Sequence, residues 1–132
     1  MLLNRSSQLF FMPFEEGQFW LINLENITPE EVTTATLLLD KEETKRASQF
    51  VFEKDRTKRV LAYAILKVHL GQLLQVEPEK ITIARNEFQK PYLPDYPVHF
   101  NLSHTENYSF VGIHPFKAIG VDIEKRRVVR HF

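Results

Sequence analysis

The sequence predicts an α+β fold in which an antiparallel sheet packs against one long helix. Residues 55–74 place apolar side chains on one broad face and charged side chains elsewhere, which is the pattern of an amphipathic helix. After residue 97 come three short apolar or alternating segments, VHFNLS, YSFVGIH and AIGVDIE, each bounded by turn residues, as strands are. With 132 residues, of which 43% are hydrophobic, the chain can bury a core, so we expect one domain spanning residues 1–132.

One strand and two short helices are expected in the front part of the chain. The segment QFWLINL, residues 18–24, is apolar on nearly both faces, which suits a well-covered strand. The run TPEE has the cap, proline and glutamate of a helix start at Thr28, and predicts a helix to about Leu38. The run DKEE repeats this signal at Asp40 and predicts a second helix through about Phe50.

The main packing helix is predicted from Asp55 to about Leu74. Its length and its apolar stripe indicate that it covers the sheet. Its apolar face is expected to hold Leu61, Ala64, Ile65, Val68 and Leu73, and its other faces Arg56, Lys58, Arg59, Lys67 and Gln72.

Four strands are predicted in the back half. The segment KITIAR alternates after Pro78 as a strand does, and the proline-rich KPYLPDYP that follows is expected to be a loop. The links HTEN and PFK between the last three strands are short enough for hairpins. We therefore expect VHFNLS, YSFVGIH and AIGVDIE to form an antiparallel meander.

Charge and composition restrict the classes of partner. Seventeen basic and seventeen acidic residues cancel, so no overall field draws the protein to nucleic acid or to an anionic membrane, and any anion site must be local. There is no cysteine, which excludes disulfides and thiolate metal sites and is compatible with a reducing cytoplasm. Residues 1–19 do not fit a signal peptide, and no apolar run approaches the ~20 residues of a membrane span. We expect a cytoplasmic protein with no nucleic-acid or membrane partner.

Two carboxylates near the end of the chain form a candidate metal site. In a strand, residues two apart share a face, so Asp122 and Glu124 emerge together, about 7 Å apart, while Val121 and Ile123 point into a core. Two oxygen ligands side by side suit Mg²⁺. Gly120 would allow a close approach to the backbone. The alternative that the spacing leaves open is a solvated strand end, because Asp-x-Glu is a common pattern.

A polar corner and several cations are candidate phosphate-binding groups. Ser103 and His104 end a strand beside exposed backbone N–H groups and can hold a phosphate. A Ser-His nucleophile and base is disfavoured, because neighbours on an extended chain point opposite ways. Lys90 precedes a proline, which limits the cone of its ammonium. The alternatives are a polar hairpin corner and a solvated loop lysine. A further basic cluster is either a phosphate cradle or ordinary helix surface: Lys45, Arg46, Lys54, Arg56, Lys58 and Arg59.

Taken together, KP, FNLSH and GVDIE, in this order and with these gaps, resemble the three N-terminal motifs of the 4'-phosphopantetheinyl transferases of the large, pseudo-dimeric, surfactin-synthetase-activating type. The upstream segment KRASQFVFEKDR, followed by a long helix, is similar to the same family. The resemblance runs from about Leu37 to Arg126. The family usually has Gly where this chain has Gln89 and often Ser where it has Thr105, which bears only on the backbone path before Lys90.

The resemblance implies a chemistry as well as a fold. Enzymes of this family move the phosphopantetheine arm of coenzyme A onto a serine of an acyl, peptidyl or aryl carrier protein, with a divalent metal that is usually Mg²⁺. They release adenosine 3',5'-bisphosphate. By this resemblance Asp122 and Glu124 are the metal ligands and catalytic residues. The residues expected to hold the phosphates and adenosine of coenzyme A are Arg46, Lys90, Ser103 and His104.

The resemblance covers the N-terminal half of such an enzyme. The family's second half carries a Trp-x-x-Lys-Glu motif that supplies a further metal ligand and a phosphate-binding lysine, and no such motif follows Glu124 here. We therefore expect this lobe to be inactive alone. One alternative is a half-domain that binds coenzyme A or a carrier protein without catalysis and associates with another half through an exposed face. Another is an unrelated small domain with a basic surface.

Overall fold

The computed structural model describes residues 9–115, 120–123 and 128–131, and it describes side chains for residues 9–115. The elements are β1 (Leu9–Phe14), β2 (Gly17–Asn23), α1 (Pro29–Thr36), α2 (Lys41–Ser48), α3 (Glu53–Leu74), β3 (Ala84–Arg85), β4 (Pro91–Tyr92), β5 (His99–His104), β6 (Tyr108–His114), β7 (Gly120–Ile123) and β8 (Val128–His131). A 3-10 turn, Pro78–Lys80, lies between α3 and β3. In the described ranges no helix is both long and apolar enough to cross a membrane.

Four of these strands form an antiparallel sheet in the order β1-β2-β6-β5, which confirms the predicted α+β class. β2 pairs with β6 from Gln18 opposite Ile113 to Asn23 opposite Tyr108, so the front and the back of the chain meet inside the sheet. α3 packs against β6. Burial of each large aliphatic side chain contributes roughly 1.5–3 kcal/mol, so this packing is the main stabilising feature. The fully buried side chains of this core include Ile22, Leu61, Ala64, Ile65, Leu66, Leu70, Val111 and Ile113.

The two short helices begin where their capping signals predict. The Thr28 hydroxyl accepts a hydrogen bond from the Glu31 N–H (3.2 Å), and the Glu31 carboxylate accepts one from the Thr28 N–H (2.9 Å). Asp40 and Glu43 exchange the same two bonds, at 2.8 and 2.9 Å. These capping boxes satisfy N–H groups that the first turn of a helix leaves without intrahelical partners. Local sequence is therefore sufficient to place both helix starts.

The predicted meander of the last three strands is wrong in its third member. β5 and β6 pair as expected, from His99 opposite His114 to His104 opposite Ser109. β7 instead pairs with β8, a strand that the sequence analysis does not predict. Both edges of β6 are already occupied, by β2 and β5, so β7 has no edge of β6 to join although it lies close to β5 and β6.

The strand predicted over KITIAR is reduced to two residues. Ala84 and Arg85 pair with Tyr92 and Pro91, and the chain before them buries Ile81 in the core. Because proline has no N–H to donate, β4 cannot extend the ladder at Pro91. The proline-rich segment, predicted to be loop throughout, therefore contributes one strand of a small hairpin.

The predicted faces of α3 contain two errors. Lys67, expected away from the apolar face, is 0% exposed, and Leu73, expected on the apolar face, is exposed. The Lys67 ammonium donates to the carboxylate of Glu43 in α2 and to the backbone carbonyl of Leu38 (3.3 Å). α1 and α2 pack against α3 and cover this side of it. A buried charge of this kind needs a partner from another element, which a helical wheel does not reveal.

Candidate functional site

A cleft lined by basic side chains lies between α2, α3, the β3–β4 hairpin and β5. It consists of two cavities, of about 160 and 220 Å³, that share Arg59 and Arg85. Three of the residues predicted from the sequence line it: Arg46, Lys90 and His104. We call this the basic cleft, and its polar lining is Glu42, Glu43, Arg46, Arg59, Tyr63, Arg85, Lys90, Asn101 and His104.

Arg59 lies where the two cavities meet. Its guanidinium sits over the rings of Phe50 and Tyr63, 5.4 and 5.3 Å from their centroids. Its Nε is buried and makes no hydrogen bond. Desolvation lowers the pKa of Arg59, and the charges of Arg85 and Arg46 lower it further against the opposing effect of Tyr63. An anion that enters the cleft relieves this repulsion and is therefore attracted to it.

Arg85 is held on the opposite wall by two hydrogen bonds. Its Nη1 donates to the Gln89 carbonyl (2.6 Å), and its Nη2 donates to the Tyr63 hydroxyl (3.1 Å). The first bond ties the guanidinium to the loop before Lys90, and the second ties it to α3. A planar guanidinium held in one orientation is suited to paired hydrogen bonds with a phosphate.

The loop that carries Lys90 is held by Asn86. The Asn86 side-chain oxygen accepts hydrogen bonds from the backbone N–H groups of Phe88 (2.9 Å) and Lys90 (3.0 Å). Gln89 has φ = 65°, the left-handed conformation that glycine adopts without strain. Gln89, which stands where the resembled family usually has Gly, therefore keeps a glycine-like turn in front of Lys90. The side chain of Lys90 stays exposed at the mouth of the cleft.

His104 bounds the cleft at the end of β5. Its Nδ1 lies 2.7 Å from the hydroxyl of Ser109, the residue opposite it on β6. Desolvation, followed by the positive charges of Arg59 and Lys58, lowers the pKa of His104 to about 4. Although the residue as a whole is exposed, its Nδ1 contacts Ser109, which is fully buried. At neutral pH the imidazole is uncharged, and it acts by hydrogen bonding rather than by charge.

Of the predicted binding residues, Ser103 does not line the two cavities, and Arg46 lines one of them but is paired with a carboxylate. Ser103 is half-buried and is not among the residues that line the two cavities, whereas Leu102 and His104, on the other face of the strand, are. Arg46 lines the first cavity, and its Nε lies 3.3 Å from the carboxylate of Glu42, one turn earlier on α2. Surface ion pairs of this kind contribute little, so a phosphate can compete with Glu42 for Arg46.

A carboxylate also borders the first cavity. Glu43 uses Oε1 to accept from the Asp40 N–H and from Lys67, while its Oε2 is buried and makes no hydrogen bond. A buried acceptor without a donor costs roughly 1–3 kcal/mol. The cavity of about 160 Å³ that Glu43 borders is large enough for a water molecule, and a water there would supply such a donor.

The two candidate metal ligands lie outside the part of the structure that describes side chains. Asp122 is placed by its backbone in β7, opposite Val129, and Glu124 is outside the described residues. Across the ranges that the structure describes, no group of three or more histidine or carboxylate side chains could hold a metal ion. The metal site stays a prediction.

The predicted binding residues do not include two central residues of the cleft, Arg59 and Arg85. Arg59 belongs to the basic cluster that is predicted to be either a phosphate cradle or ordinary helix surface, although Tyr63 follows it one turn later on α3 and its ring offers a contact for the guanidinium. Arg85 was read only as part of a strand. A hairpin between Arg85 and Lys90 is the signal that could have found it, because a hairpin brings its two ends together.

Comparisons with known proteins show the family of the chain. Residues 26–115 match the family model described as 4'-phosphopantetheinyl transferase, N-terminal. The matched range contains four of the predicted site residues, Arg46, Lys90, Ser103 and His104, and it ends before Asp122.

Several curated proteins are similar to the chain. It is 33% identical to a phosphopantetheinyl transferase of Thraustochytrium sp. over 80% of this chain and 38% of that protein. It is 32% identical to 4'-phosphopantetheinyl transferase gsp of Aneurinibacillus migulanus over 66% of this chain and 36% of that protein. It is 30% identical to 4'-phosphopantetheinyl transferase HetI of Nostoc sp. over 86% of this chain and 49% of that protein. The chain spans less than half of the length of these relatives.

Proposed function

The chain belongs to the 4'-phosphopantetheinyl transferase family, and we propose that residues 1–132 form the N-terminal lobe of such an enzyme. The proposed reaction moves the 4'-phosphopantetheine arm of coenzyme A onto a serine hydroxyl of a carrier protein and releases adenosine 3',5'-bisphosphate. In this proposal the lobe binds the coenzyme, and a second lobe completes the catalytic site.

The basic cleft is the observation that carries the proposal. Coenzyme A contains a diphosphate and a 3'-phosphate, and the cleft gathers three arginines, a lysine and a histidine around two adjoining cavities. Guanidinium groups bind phosphate oxygens through paired hydrogen bonds and keep their charge at physiological pH. Because the chain has no net charge, this local excess of cations favours a polyanionic ligand at this face.

Four residues that line the cleft have a proposed task. Arg46 and Arg59, in the first cavity, bind one phosphate of the coenzyme. Lys90 and His104, in the second cavity, bind another, and Ser103 is part of the strand end that carries His104. When the serine attacks, the bond to the leaving nucleotide breaks and negative charge grows on its 5'-phosphate. Fixed cations stabilise that charge more in the transition state than in the bound substrate, which is what raises the rate.

We further propose that Mg²⁺ binds at Asp122 and Glu124. Carboxylate oxygens are the ligands that Mg²⁺ prefers, and alternate residues of a strand present two of them on one side. β7, which contains Asp122, lies close to β5, and β5 ends at His104 on the rim of the basic cleft. This placement supports a metal beside the phosphates. When bound, the ion would neutralise charge on the diphosphate.

A second candidate function is a half-domain that binds coenzyme A or a carrier protein without catalysis and pairs with another half. The exposed apolar segment Phe50–Phe52 favours it: Val51 is 84% exposed and Phe52 is 70% exposed, beside the basic cleft. Patches of this kind commonly drive association. Sedimentation equilibrium of the wild-type chain and of a Val51→Ser/Phe52→Ser variant tests this candidate. A monomeric wild-type chain at high micromolar concentration contradicts pairing of the chain with a second copy of itself.

Calorimetric titration with coenzyme A, with and without Mg²⁺, tests the main proposal. Charged hydrogen bonds to phosphate contribute about 1.5–3 kcal/mol each, so Arg59→Gln and Lys90→Ala should each weaken binding by roughly ten- to a hundredfold. Lys80→Ala is the matched control, because Lys80 is an exposed lysine that does not line the two cavities and should leave the affinity unchanged. Asp122→Ala should remove any dependence on Mg²⁺.

Mass spectrometry of a carrier protein tests the transfer itself. We expect the carrier to gain the mass of phosphopantetheine when this lobe is supplied together with a complementary second lobe, and not when the lobe acts alone. If millimolar coenzyme A gives no heat of binding with or without Mg²⁺, the coenzyme-binding role assigned to this lobe is wrong.

A further inference from the structure

We propose that Ser109 is a positioning residue that orients the His104 ring and sets its tautomer, so that Nε2 presents an N–H to an anion in the basic cleft. The identity of the anion rests on the function proposed above. The contact between Ser109 and His104 does not, because both groups belong to this chain.

The geometry of the β5–β6 hairpin creates this contact. His104 and Ser109 are directly opposite each other in the register of the two strands. Directly opposite residues of an antiparallel pair hold their Cβ atoms about 4.5–5.5 Å apart, which is close enough for a hydroxyl and an imidazole to bond. The observed distance from Nδ1 to the Ser109 hydroxyl is 2.7 Å.

Ser109 is fixed more firmly than the histidine it contacts. Its side chain is 0% exposed, on a strand whose two edges pair with β2 and β5. His104 is exposed and lines the second cavity with Arg59, Arg85 and Lys90. A buried hydroxyl therefore contacts one edge of the ring of a residue that also lines the second cavity. Because it is buried behind the ring, Ser109 acts on a ligand through His104.

The tautomer follows from the needs of the two partners. In a neutral imidazole one ring nitrogen donates and the other accepts. A phosphate oxygen near Arg59 and Lys90 is an acceptor, so the nitrogen that meets it must carry the proton. If that nitrogen is Nε2, then Nδ1 is the acceptor, and the Ser109 hydroxyl can donate to it. The lowered pKa of His104 supports this picture, because it keeps the imidazole neutral at pH 7 and makes the tautomer matter.

Nitrogen-15 spectroscopy of the histidine rings tests the positioning role without any ligand. The ¹⁵N-labelled wild-type chain should show His104 at pH 7 with the proton on Nε2 and a hydrogen-bonded Nδ1, and a His104→Gln variant assigns the signals. In Ser109→Ala the Nδ1 resonance should lose its hydrogen-bond shift, and the second tautomer should become populated. A wild-type ring that carries its proton on Nδ1, or an unchanged spectrum in Ser109→Ala, overturns the proposal.

A second substitution separates the hydroxyl from packing. Ser109→Cys keeps nearly the same volume but replaces a good donor by a weak one. If Ser109 acts through its hydroxyl, the cysteine variant should resemble Ser109→Ala in the ring spectrum. If the ring is held only by packing, the cysteine variant should resemble the wild type, and the proposal is wrong.

Titration with coenzyme A connects this contact to the ligand. Loss of one hydrogen bond that orients His104 should weaken binding roughly three- to tenfold in Ser109→Ala. In a His104→Ala background the same change should cause no further loss, because Ser109 then has no ring to orient. A further loss in that background overturns the positioning role. If His104→Ala itself leaves the affinity unchanged, the proposed phosphate contact of His104 fails, and the ring spectra still decide the role of Ser109.

Discussion

Replacing Lys67 by methionine should strongly destabilise the fold. Lys67 is 0% exposed and Glu43 is 7% exposed, and the ammonium donates to Oε1 of that carboxylate and to the Leu38 carbonyl. Methionine keeps most of the apolar stem and removes the charge, so the expected loss arises from electrostatics rather than from a cavity. The Glu43 carboxylate would then be a buried charge with the Asp40 N–H as its remaining protein donor among these contacts.

The size of this effect follows from the burial of the pair. Breaking a buried ion pair by removing one partner costs about 3–5 kcal/mol, because the remaining charge is left uncompensated. Small domains have a total free energy of unfolding of roughly 5–15 kcal/mol, so Lys67→Met should remove a large part of it. In a Glu43→Gln/Lys67→Met double variant the amide oxygen still caps α2 and no charge is buried, so much of the loss should be recovered.

Urea unfolding followed by circular dichroism measures these values from the midpoint, provided that the slope with urea is unchanged. The control is Lys80→Met, which breaks an exposed pair with Glu77 (3.3 Å) and should cost less than about 1 kcal/mol. A loss below about 1 kcal/mol for Lys67→Met would refute the reasoning. Simple additivity of the two single changes in the double variant would refute it as well.

Three further predictions concern the backbone and pH. Gln89→Gly should raise the free energy of unfolding by up to about 1 kcal/mol, because glycine avoids the cost of a left-handed φ; an unchanged or lower urea midpoint contradicts this. Gly71→Ala should lower it by about 1–3 kcal/mol, since the added Cβ would lie 2.6 Å from the Val76 carbonyl; a midpoint at or above the wild-type value contradicts the clash. The pKa values of His69 and His104 are lowered, chiefly by desolvation, that of His104 to about 4, while an unfolded histidine titrates near 6.5. The unfolded chain therefore binds protons at higher pH than the folded chain, and the free energy of unfolding should fall as the pH is lowered from ~6.5 toward about 4. The fall should be less steep in His104→Asn. Urea midpoints at several pH values measure both.

Local sequence chemistry predicted the elements whose causes are local. The capping boxes at Thr28 and Asp40 placed two helix starts correctly, because their hydrogen bonds join residues three apart. The apolar segment YSFVGIH, which has short turn segments on both sides, predicts β6 with its observed bounds, Tyr108–His114. The pairing of β7 was wrong because it depends on which strand edges are free, and β2 takes an edge of β6 from the far end of the chain.

In the candidate site, too, residues in short local motifs were predicted and residues that depend on distant elements were not. Lys90 and His104 were found because they sit in short motifs, and both line the basic cleft. Arg59 was not singled out, because its role depends on the rings of Phe50 and Tyr63 and on Arg85 across the cleft. Charge along a helix does not distinguish a side chain that meets water from one that meets another element.

The pairing of β2 with β6 has a consequence for synthesis of the protein. About ninety residues separate Ile22 from Ile113, which reach neighbouring strands of one sheet. At about 5–20 residues per second, a ribosome needs roughly 5–20 s to make the intervening chain. During that interval the N-terminal hairpin, and after it the apolar face of α3, are made before the strand that finally covers them. Until β6 is made, these apolar surfaces are therefore open to non-native association, as is general for strand pairings between distant parts of a chain.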